Sequence, residues 1–243
     1  MAKIPKNPPE IFDEFVADMK SIFADDLESI LLYGSAAKGL YQYKKSDINF
    51  MVIVSEQGID KLARAIPFVK KWAKRKVSTP LVLTRSYIES SLDSFPMEFA
   101  GIQAHHELVF GDDVLKNLAI STDDLRLQCE REMKGKLLHL RGSFLSSSGK
   151  SYLLKDLVKK SIADFSVLFS ALLKLKGVSS EADRASIVLQ TVDTFGLNKD
   201  IFQQLMAIAE GKKKPGKQEW ASIMENYIHE IRTLARLVDQ LAS

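Results

Sequence analysis

Residues 31–54 read LLYGSAAKGLYQYKKSDINFMVIV, in which two apolar runs flank a polar loop. The first run, residues 29–33, is short and is cut off by Gly34, which predicts a buried strand. The second run, residues 47–54, is rich in β-branched side chains and predicts another strand. The sequence therefore predicts two strands whose connecting loop carries polar residues at both of its ends.

Gly34 and Ser35 are suited to hold a phosphate where the first strand ends. Glycine has no Cβ, so its backbone can approach a phosphate closely. Ser35 can offer a hydroxyl and an amide to the same oxygen. If the residues after Gly34 begin a helix, its N-terminal amides and dipole would favour an anion as well. Lys38 and Lys45, in the same loop, are further candidate nucleotide-binding residues.

Asp47 and Asn49 are the candidate catalytic and metal-binding residues on the second strand. Residues i and i+2 of a strand point to the same face, so both side chains should face the phosphate loop. Magnesium prefers oxygen ligands and usually takes one or two carboxylates, with phosphates and water completing its shell. The expected cofactor is therefore Mg²⁺ that arrives with a nucleoside triphosphate.

Around this loop, residues 1–113 alternate between helical and strand-like patterns. Apolar residues recur at helical spacing in 11–23 and 59–72. Further strands are expected at 80–84 and 107–110, with short helical or turn segments near 88–92 and 97–104. Strands that alternate with helices predict a mixed sheet with flanking helices.

From Thr122 onward the patterns are helical only, which predicts a C-terminal α-helical bundle. The breaks have turn compositions and lie at 146–149, 177–180 and 211–216. The boundary lies near residue 113, which divides the chain into an α/β domain at 1–113 and a bundle at 114–243. The expected helices cover roughly 122–143, 151–176, 181–194, 198–210 and 217–241.

The composition excludes several classes of protein. Lys and Arg number 34 against 31 Asp and Glu, so the net charge of +3 gives no strong nucleic-acid signal. No stretch approaches the ~20 apolar residues of a membrane span, and the N-terminus lacks a signal-peptide pattern. A cytoplasmic location is the expectation. Cys129 is the single cysteine and reads as a small buried hydrophobe in a helix.

The order and spacing of Gly34-Ser35 and Asp47-Ile48-Asn49, between two strands, resemble the signature of the DNA polymerase β-like nucleotidyltransferase superfamily. That resemblance implies transfer of a nucleoside monophosphate from a triphosphate to a hydroxyl acceptor. Residues 91–99 and 110–113 look like a subgroup of uncharacterised bacterial nucleotidyltransferase-like proteins. An α/β domain followed by a bundle is also distantly similar to the aminoglycoside nucleotidyltransferases, where the resemblance implies that the bundle helps to bind the acceptor.

The sequence departs from that signature at its acids. The second acid is replaced by Asn49, which offers one neutral oxygen. The third acid should lie on a later strand, yet residues 77–84 contain none. Asp93, Glu98 or Glu107 would have to substitute for it.

Two functions follow from the match and from its departures. The first is a nucleotidyltransferase of weak activity, whose acceptor is a small molecule or a protein. The second is a catalytically degenerate module that binds a nucleotide or a partner without turnover. The retained Gly-Ser-Asp loop favours the first, and the missing acids favour the second.

Two other groups of residues have simpler interpretations. His105 and His106 are neighbours in sequence, and neighbours on a helix rarely face one ligand, so a metal site is not expected there. The basic cluster at 70–76 follows a helical pattern and is typical of a solvated helix C-terminus.

Overall fold

The computed structural model of the chain describes residues 3–179 and 183–241. Its described strands form one mixed sheet in the order β3-β2-β1-β4. Strand β1 (Leu27–Tyr33) pairs antiparallel with both β2 (Asn49–Val54) and β4 (His106–Gly111), whereas β3 (Leu81–Leu83) runs parallel to β2. The mixed sheet expected from the sequence is confirmed.

Both faces of the central strands are covered, which explains why β1 and β2 read as nearly continuous apolar runs. On one face, Ile30 and Phe50 pack against Phe15 and Trp72. The Phe15 and Phe50 rings stack with centroids 4.1 Å apart. The helices that carry these partners are α1 (Phe12–Phe23), after a 3₁₀ turn at Pro8–Ile11, and α3 (Leu62–Ala73), after the short α2 (Glu56–Ile59).

The opposite face buries Leu31 and Met51 against Ile88, Phe99 and Leu115. Ile88 lies on α4 (Arg85–Ser90), and Phe99 lies on α5 (Pro96–Ala104). Leu115 belongs to the irregular segment that follows β4, and its side chain is fully buried. This face matters for function because Asn49, like Met51, belongs to it.

Strand β2 begins at Asn49, two residues later than the sequence predicts. Ile48 forms only an isolated parallel bridge, with Val77. The chain at Asp47 and Ile48 has left β1 and lies beside the segment after α3 instead.

The helical region contains α6 (Thr122–Ser146), α7 (Ser151–Leu175), α8 (Arg184–Phe195), α9 (Lys199–Ala209) and α10 (Glu219–Asp239). Ser121, Asp183 and Asn198 cap α6, α8 and α9 through their side chains. The expected helix start at 181 and the break residue Ser180 lie outside the described residues. The helical C-terminal region predicted from the sequence is confirmed.

The core of this region is aromatic, with Phe165, Phe169, Phe202 and Tyr227 in mutual ring contact. The buried Tyr227 hydroxyl donates a hydrogen bond to Ser161 Oγ at 3.1 Å. Cys129 is fully buried, as its sequence context predicts. No helix of the described chain has the length and apolar character that a membrane crossing needs.

The chain divides into two compact units, Met1–Ile120 and Ser121–Ser243. This division falls seven residues after the boundary expected at residue 113, because residues 114–120 pack with the sheet. The assignment of two separate domains stays a prediction.

Candidate functional site

The ends of β1 and β2 lie side by side at one edge of the sheet. The strands are antiparallel, and Tyr33, the last residue of β1, is paired with Asn49, the first residue of β2. Gly34 and Ser35 follow Tyr33 directly, and Asp47 precedes Asn49 by two residues. The register therefore brings the two halves of the sequence motif to the same edge.

The loop after β1 folds into hydrogen-bonded turns. Gly34 has a φ of +78°, a left-handed conformation that favours glycine. The Lys38 amide donates to the Gly34 carbonyl at 3.2 Å, and the Leu40 amide donates to the Ser35 carbonyl at 2.9 Å. A helix does not follow Gly34, so the dipole of a long helix is not available to a phosphate here. The loop can still offer amides and the Ser35 hydroxyl.

Asn49 lies against the backbone of Gly34. A Cβ added at Gly34 would lie 2.8 Å from Asn49 Nδ2 and 3.8 Å from its Cγ. The space that the glycine leaves is therefore taken by the Asn49 amide, which is only partly exposed. This contact directs the Asn49 side chain toward the loop rather than away from it.

Asp47 is paired with a cation of the chain itself. Lys76 Nζ lies 3.5 Å from Asp47 Oδ1, and the two side chains are 40% and 57% exposed. The pairing follows from the backbone, because the Ile48 amide donates to the Lys76 carbonyl at 2.8 Å and the Ser78 amide donates to the Ile48 carbonyl at 3.0 Å. Positions 76 and 78 thus lie beside 47 and 49.

Those two positions are where a neighbouring segment could add an acid to Asp47, and they hold Lys76 and Ser78. Glu107 cannot substitute, because it pairs across the sheet with Leu32, whose side chain packs on the α1 face. Within residues 3–179 and 183–241, no group of three or more His, Cys, Asp or Glu side chains is arranged to hold a metal ion. The residues at this edge therefore do not fit a centre with two metal ions, which needs carboxylates for both.

The two lysines proposed from the loop differ in their surroundings. Lys38 is partly exposed and lies near His105. The pKa of the His105 imidazole is lowered mainly by burial and to a smaller extent by the charge of Lys38. Lys45 is exposed in the turn before Asp47, where its amide donates to the Gln42 carbonyl at 3.0 Å. Both cations thus belong to the loop that joins the two strand ends.

A histidine that sequence reasoning did not assign lies on the same face as Asn49. His106 pairs across the sheet with Tyr33. Its Nε2 lies 3.0 Å from Asp113 Oδ1, and its Nδ1 lies 3.0 Å from the Gln103 carbonyl oxygen. Both ring nitrogens thus have protein partners, so the ring ties β4 to the turn after it instead of binding a ligand.

Asp113 completes this turn. Partial burial is the largest single effect and opposes its ionisation, but the hydrogen bond and charge of His106 and two backbone amides together outweigh it, so the pKa of the carboxyl lies below its ordinary value. The Leu115 and Lys116 amides also donate to it, each at 3.1 Å. No local signal in the sequence predicts this pair, since it depends on the path of the chain after β4.

A cavity of about 330 Å³ lies in the helical unit between α6 and α7. Its lining combines leucines with Lys136, His139, Asp156 and Lys160, and the last two form an ion pair of 2.8 Å. The volume falls within the range of small-molecule pockets, roughly 300–1,000 Å³. None of the residues predicted for phosphate or metal binding lines it.

Comparison with known proteins supports the fold and goes no further. No family model matches the sequence, and no curated protein matches it. Among solved structures, the chain resembles spectinomycin adenyltransferase AAD(9) from Enterococcus faecialis, determined with ATP and spectinomycin, at a TM-score of 0.53 and 13% identity. The likeness covers 96% of this chain and 100% of that one. At this identity, it shows a nucleotidyltransferase-like fold.

Proposed function

We propose that this chain binds a nucleoside triphosphate at the Gly34–Ser35 loop and transfers its nucleoside monophosphate slowly or not at all. The observation that carries the proposal is the state of Asp47. It is the one acid of the predicted motif, and its partner is Lys76 rather than a second carboxylate.

The loop residues have distinct roles in this proposal. Gly34 permits close approach of the triphosphate, and Ser35 donates to a phosphate oxygen. Lys38 and Lys45 add positive charge to the same loop. Asp47, with weaker help from Asn49, would hold the Mg²⁺ that accompanies the nucleotide, and such an ion would neutralise phosphate charge.

The missing acids set the scale of the expected loss. An Asp-to-Asn change removes one charge beside a dication, which at ~4 Å and a dielectric near 20 has a Coulomb scale of about 4 kcal/mol per unit of ion charge. Desolvation cancels most of this. A net loss of about 1–2 kcal/mol would still weaken metal binding ~5- to 30-fold. Without a third acid, the acceptor hydroxyl also lacks a carboxylate that favours its deprotonation.

A second candidate is an active nucleotidyltransferase that attaches the nucleoside monophosphate to a hydroxyl and releases pyrophosphate. It is favoured by the likeness to an adenyltransferase along 96% of the chain, which includes both units. The acceptor would be a small molecule or a protein. The cavity between α6 and α7 is one place in the helical unit where a small acceptor would fit.

The test combines calorimetry with an assay of pyrophosphate release. We expect wild type to bind ATP and to release little pyrophosphate with any of a panel of hydroxyl acceptors. Ser35→Ala should weaken ATP binding about 10-fold or more, because a hydrogen bond to a charged group contributes about 1.5–3 kcal/mol. Ser90→Ala, an exposed position on α4, is the matched control and should bind as wild type does.

Each alternative has its own outcome. Brisk pyrophosphate release that is lost in Asp47→Ala would establish the second candidate. Brisk release that survives Asp47→Ala would locate the chemistry elsewhere in the chain. If neither wild type nor Asn49→Asp binds ATP, nucleotide binding is excluded and a partner-binding role remains.

A further inference from the structure

We propose that Lys76 supplies the cation of this site, so that its ammonium, and not a divalent metal, meets the phosphates of the nucleotide. The inference rests on the proposed function, in that the nucleotide binds at the same loop, and it replaces the part of that proposal in which Asp47 holds Mg²⁺. The fold implies a metal, yet this edge of the sheet has one motif carboxylate, Asp47, to hold it. A lysine in place of the metal explains why the other carboxylates are missing.

The backbone on both sides of Lys76 is fixed. The Lys76 amide donates to the Ala73 carbonyl, and the Val77 amide donates to the Trp72 carbonyl, each at 3.2 Å. The Lys76 carbonyl accepts from Ile48 at 2.8 Å. Its φ of +67° is uncommon for a residue other than glycine. The Lys76 side chain therefore extends from a fixed backbone position beside Asp47.

Lys70 and Lys71, two other lysines of the basic cluster, do not share this arrangement. Lys70 and Lys71 lie in the last turn of α3, where cations favour a helix C-terminus, and Lys71 pairs with Glu14 and Asp18 on α1. Lys76 follows the end of the helix. The Ile48–Val77 bridge aligns its segment with the one that carries Asp47, and the Lys76 ammonium pairs with the Asp47 carboxylate. The interpretation of the basic cluster as a solvated helix C-terminus explains the position of Lys70 but not that of Lys76.

The local charge favours a metal-free nucleotide. Among the residues assigned to this site, Lys38, Lys45 and Lys76 give three positive charges against the one negative charge of Asp47. A triphosphate without Mg²⁺ is more negative than its magnesium complex, so a net positive site attracts it more strongly. The Asp47–Lys76 pair is partly exposed, and exposed pairs are weak, so a phosphate can take over the ammonium with little loss.

If Lys76 is the cation, the effect of Asp47→Asn on ATP affinity is the opposite of the effect expected for a metal ligand. If Asp47 is a metal ligand, Asp47→Asn weakens ATP binding in the presence of Mg²⁺. If Lys76 is the cation, the same change removes an anion that repels phosphate and competes for the ammonium. Asp47→Asn should then bind ATP more tightly, in EDTA as well as in Mg²⁺.

The experiment is a calorimetric titration of the full-length chain with ATP, at low ionic strength, once in EDTA and once in excess Mg²⁺. Wild type should bind ATP in EDTA with a Kd equal to or below its value in Mg²⁺. Lys76→Gln should weaken binding in EDTA roughly 10-fold, which corresponds to about 1.4 kcal/mol. Lys70→Gln, on the exposed surface of α3, is the control and should bind as wild type does. Asp47→Asn should tighten binding about 3-fold or more, and Lys76→Met serves as a second variant if Lys76→Gln does not fold.

The possible results separate this inference from the proposed function. Binding that requires Mg²⁺ and is weakened by Asp47→Asn would overturn the role of Lys76 and leave nucleotide binding intact. Equal affinities of Lys76→Gln and Lys70→Gln would overturn it as well. Absence of ATP binding in both buffers would remove the proposed function itself, and this inference with it.

Discussion

At the scale of single residues, Gly34 is constrained twice. Its φ of +78° costs any other residue about 1–3 kcal/mol, and the space beside it is taken by the Asn49 amide. Gly39, five residues later in the same loop, has a similar φ of +71° but nothing within 4 Å of an added Cβ. The two glycines share the backbone strain and differ in the side-chain contact.

We expect Gly34→Ala to lower the free energy of unfolding by about 1–3 kcal/mol, and by more than Gly39→Ala does. The excess should disappear in an Asn49→Ala background, because the added methyl group then meets no amide. Urea unfolding followed by Trp72 fluorescence reports on the sheet unit, provided that Trp220 is replaced by Phe. Equal losses in the two glycine variants would mean that the Asn49 side chain moves aside at no cost, and that its orientation toward the loop is not fixed.

At the scale of strands and helices, the local patterns were sufficient to predict the four strands and the longer helices, though not the short α2, and they did not predict which strands pair. The apolar runs of β1 and β2, and the Gly34 that ends the first run, are signals within a few residues of each other. The antiparallel pairing of β1 with both β2 and β4 depends on residues far apart in sequence. A single sequence has no signal for that register.

The same limit explains what was missed at the site. Asp47 and Asn49 were found because they are two residues apart at a strand that follows Gly34-Ser35. Lys76 was interpreted as part of a helix end because its neighbours are lysines. Only the bridge between Ile48 and Val77 brings it to Asp47. The absence of acids at 77–84 was visible in the sequence, but the lysine beside the remaining acid was not.

Because this bridge places residue 76 beside 47, it also predicts how a metal site could be restored. Asn49→Asp with Lys76→Asp would put three carboxylates together at this edge, and Asp tolerates the positive φ of position 76 better than most residues. We expect this double variant to be destabilised by repulsion between the acids and to regain stability when Mg²⁺ or Mn²⁺ binds. Wild type should show no such gain.

Thermal unfolding with and without 5–10 mM metal, on the order of a weak-site Kd, would measure this effect. The matched control is Asn49→Asp with Lys70→Asp, which makes the same change in net charge on the exposed surface of α3. If metal stabilises the control as much as the double variant, the ion is not held between positions 47, 49 and 76.

At the scale of the whole molecule, every residue assigned to nucleotide binding lies in the unit that ends at Ile120. The likeness to an adenyltransferase covers both units, and the part in acceptor binding that the sequence resemblance implies for the bundle stays a prediction. A division of labour between the units can be tested by separating them.

Two fragments, 1–120 and 1–113, test the division and its exact position together. The shorter fragment lacks Leu115, which is fully buried among Leu31, Met51 and Phe99. Loss of such a side chain costs about 2–5 kcal/mol. We therefore expect 1–120 to fold and to bind ATP within ~3-fold of the full chain, and 1–113 to be much less stable to urea. A folded 1–120 that has lost ATP affinity more than ~10-fold would show that the bundle supplies contacts to the nucleotide. Equal stability of the two fragments would return the boundary to residue 113, because it would mean that residues 114–120 add nothing to the core of the sheet.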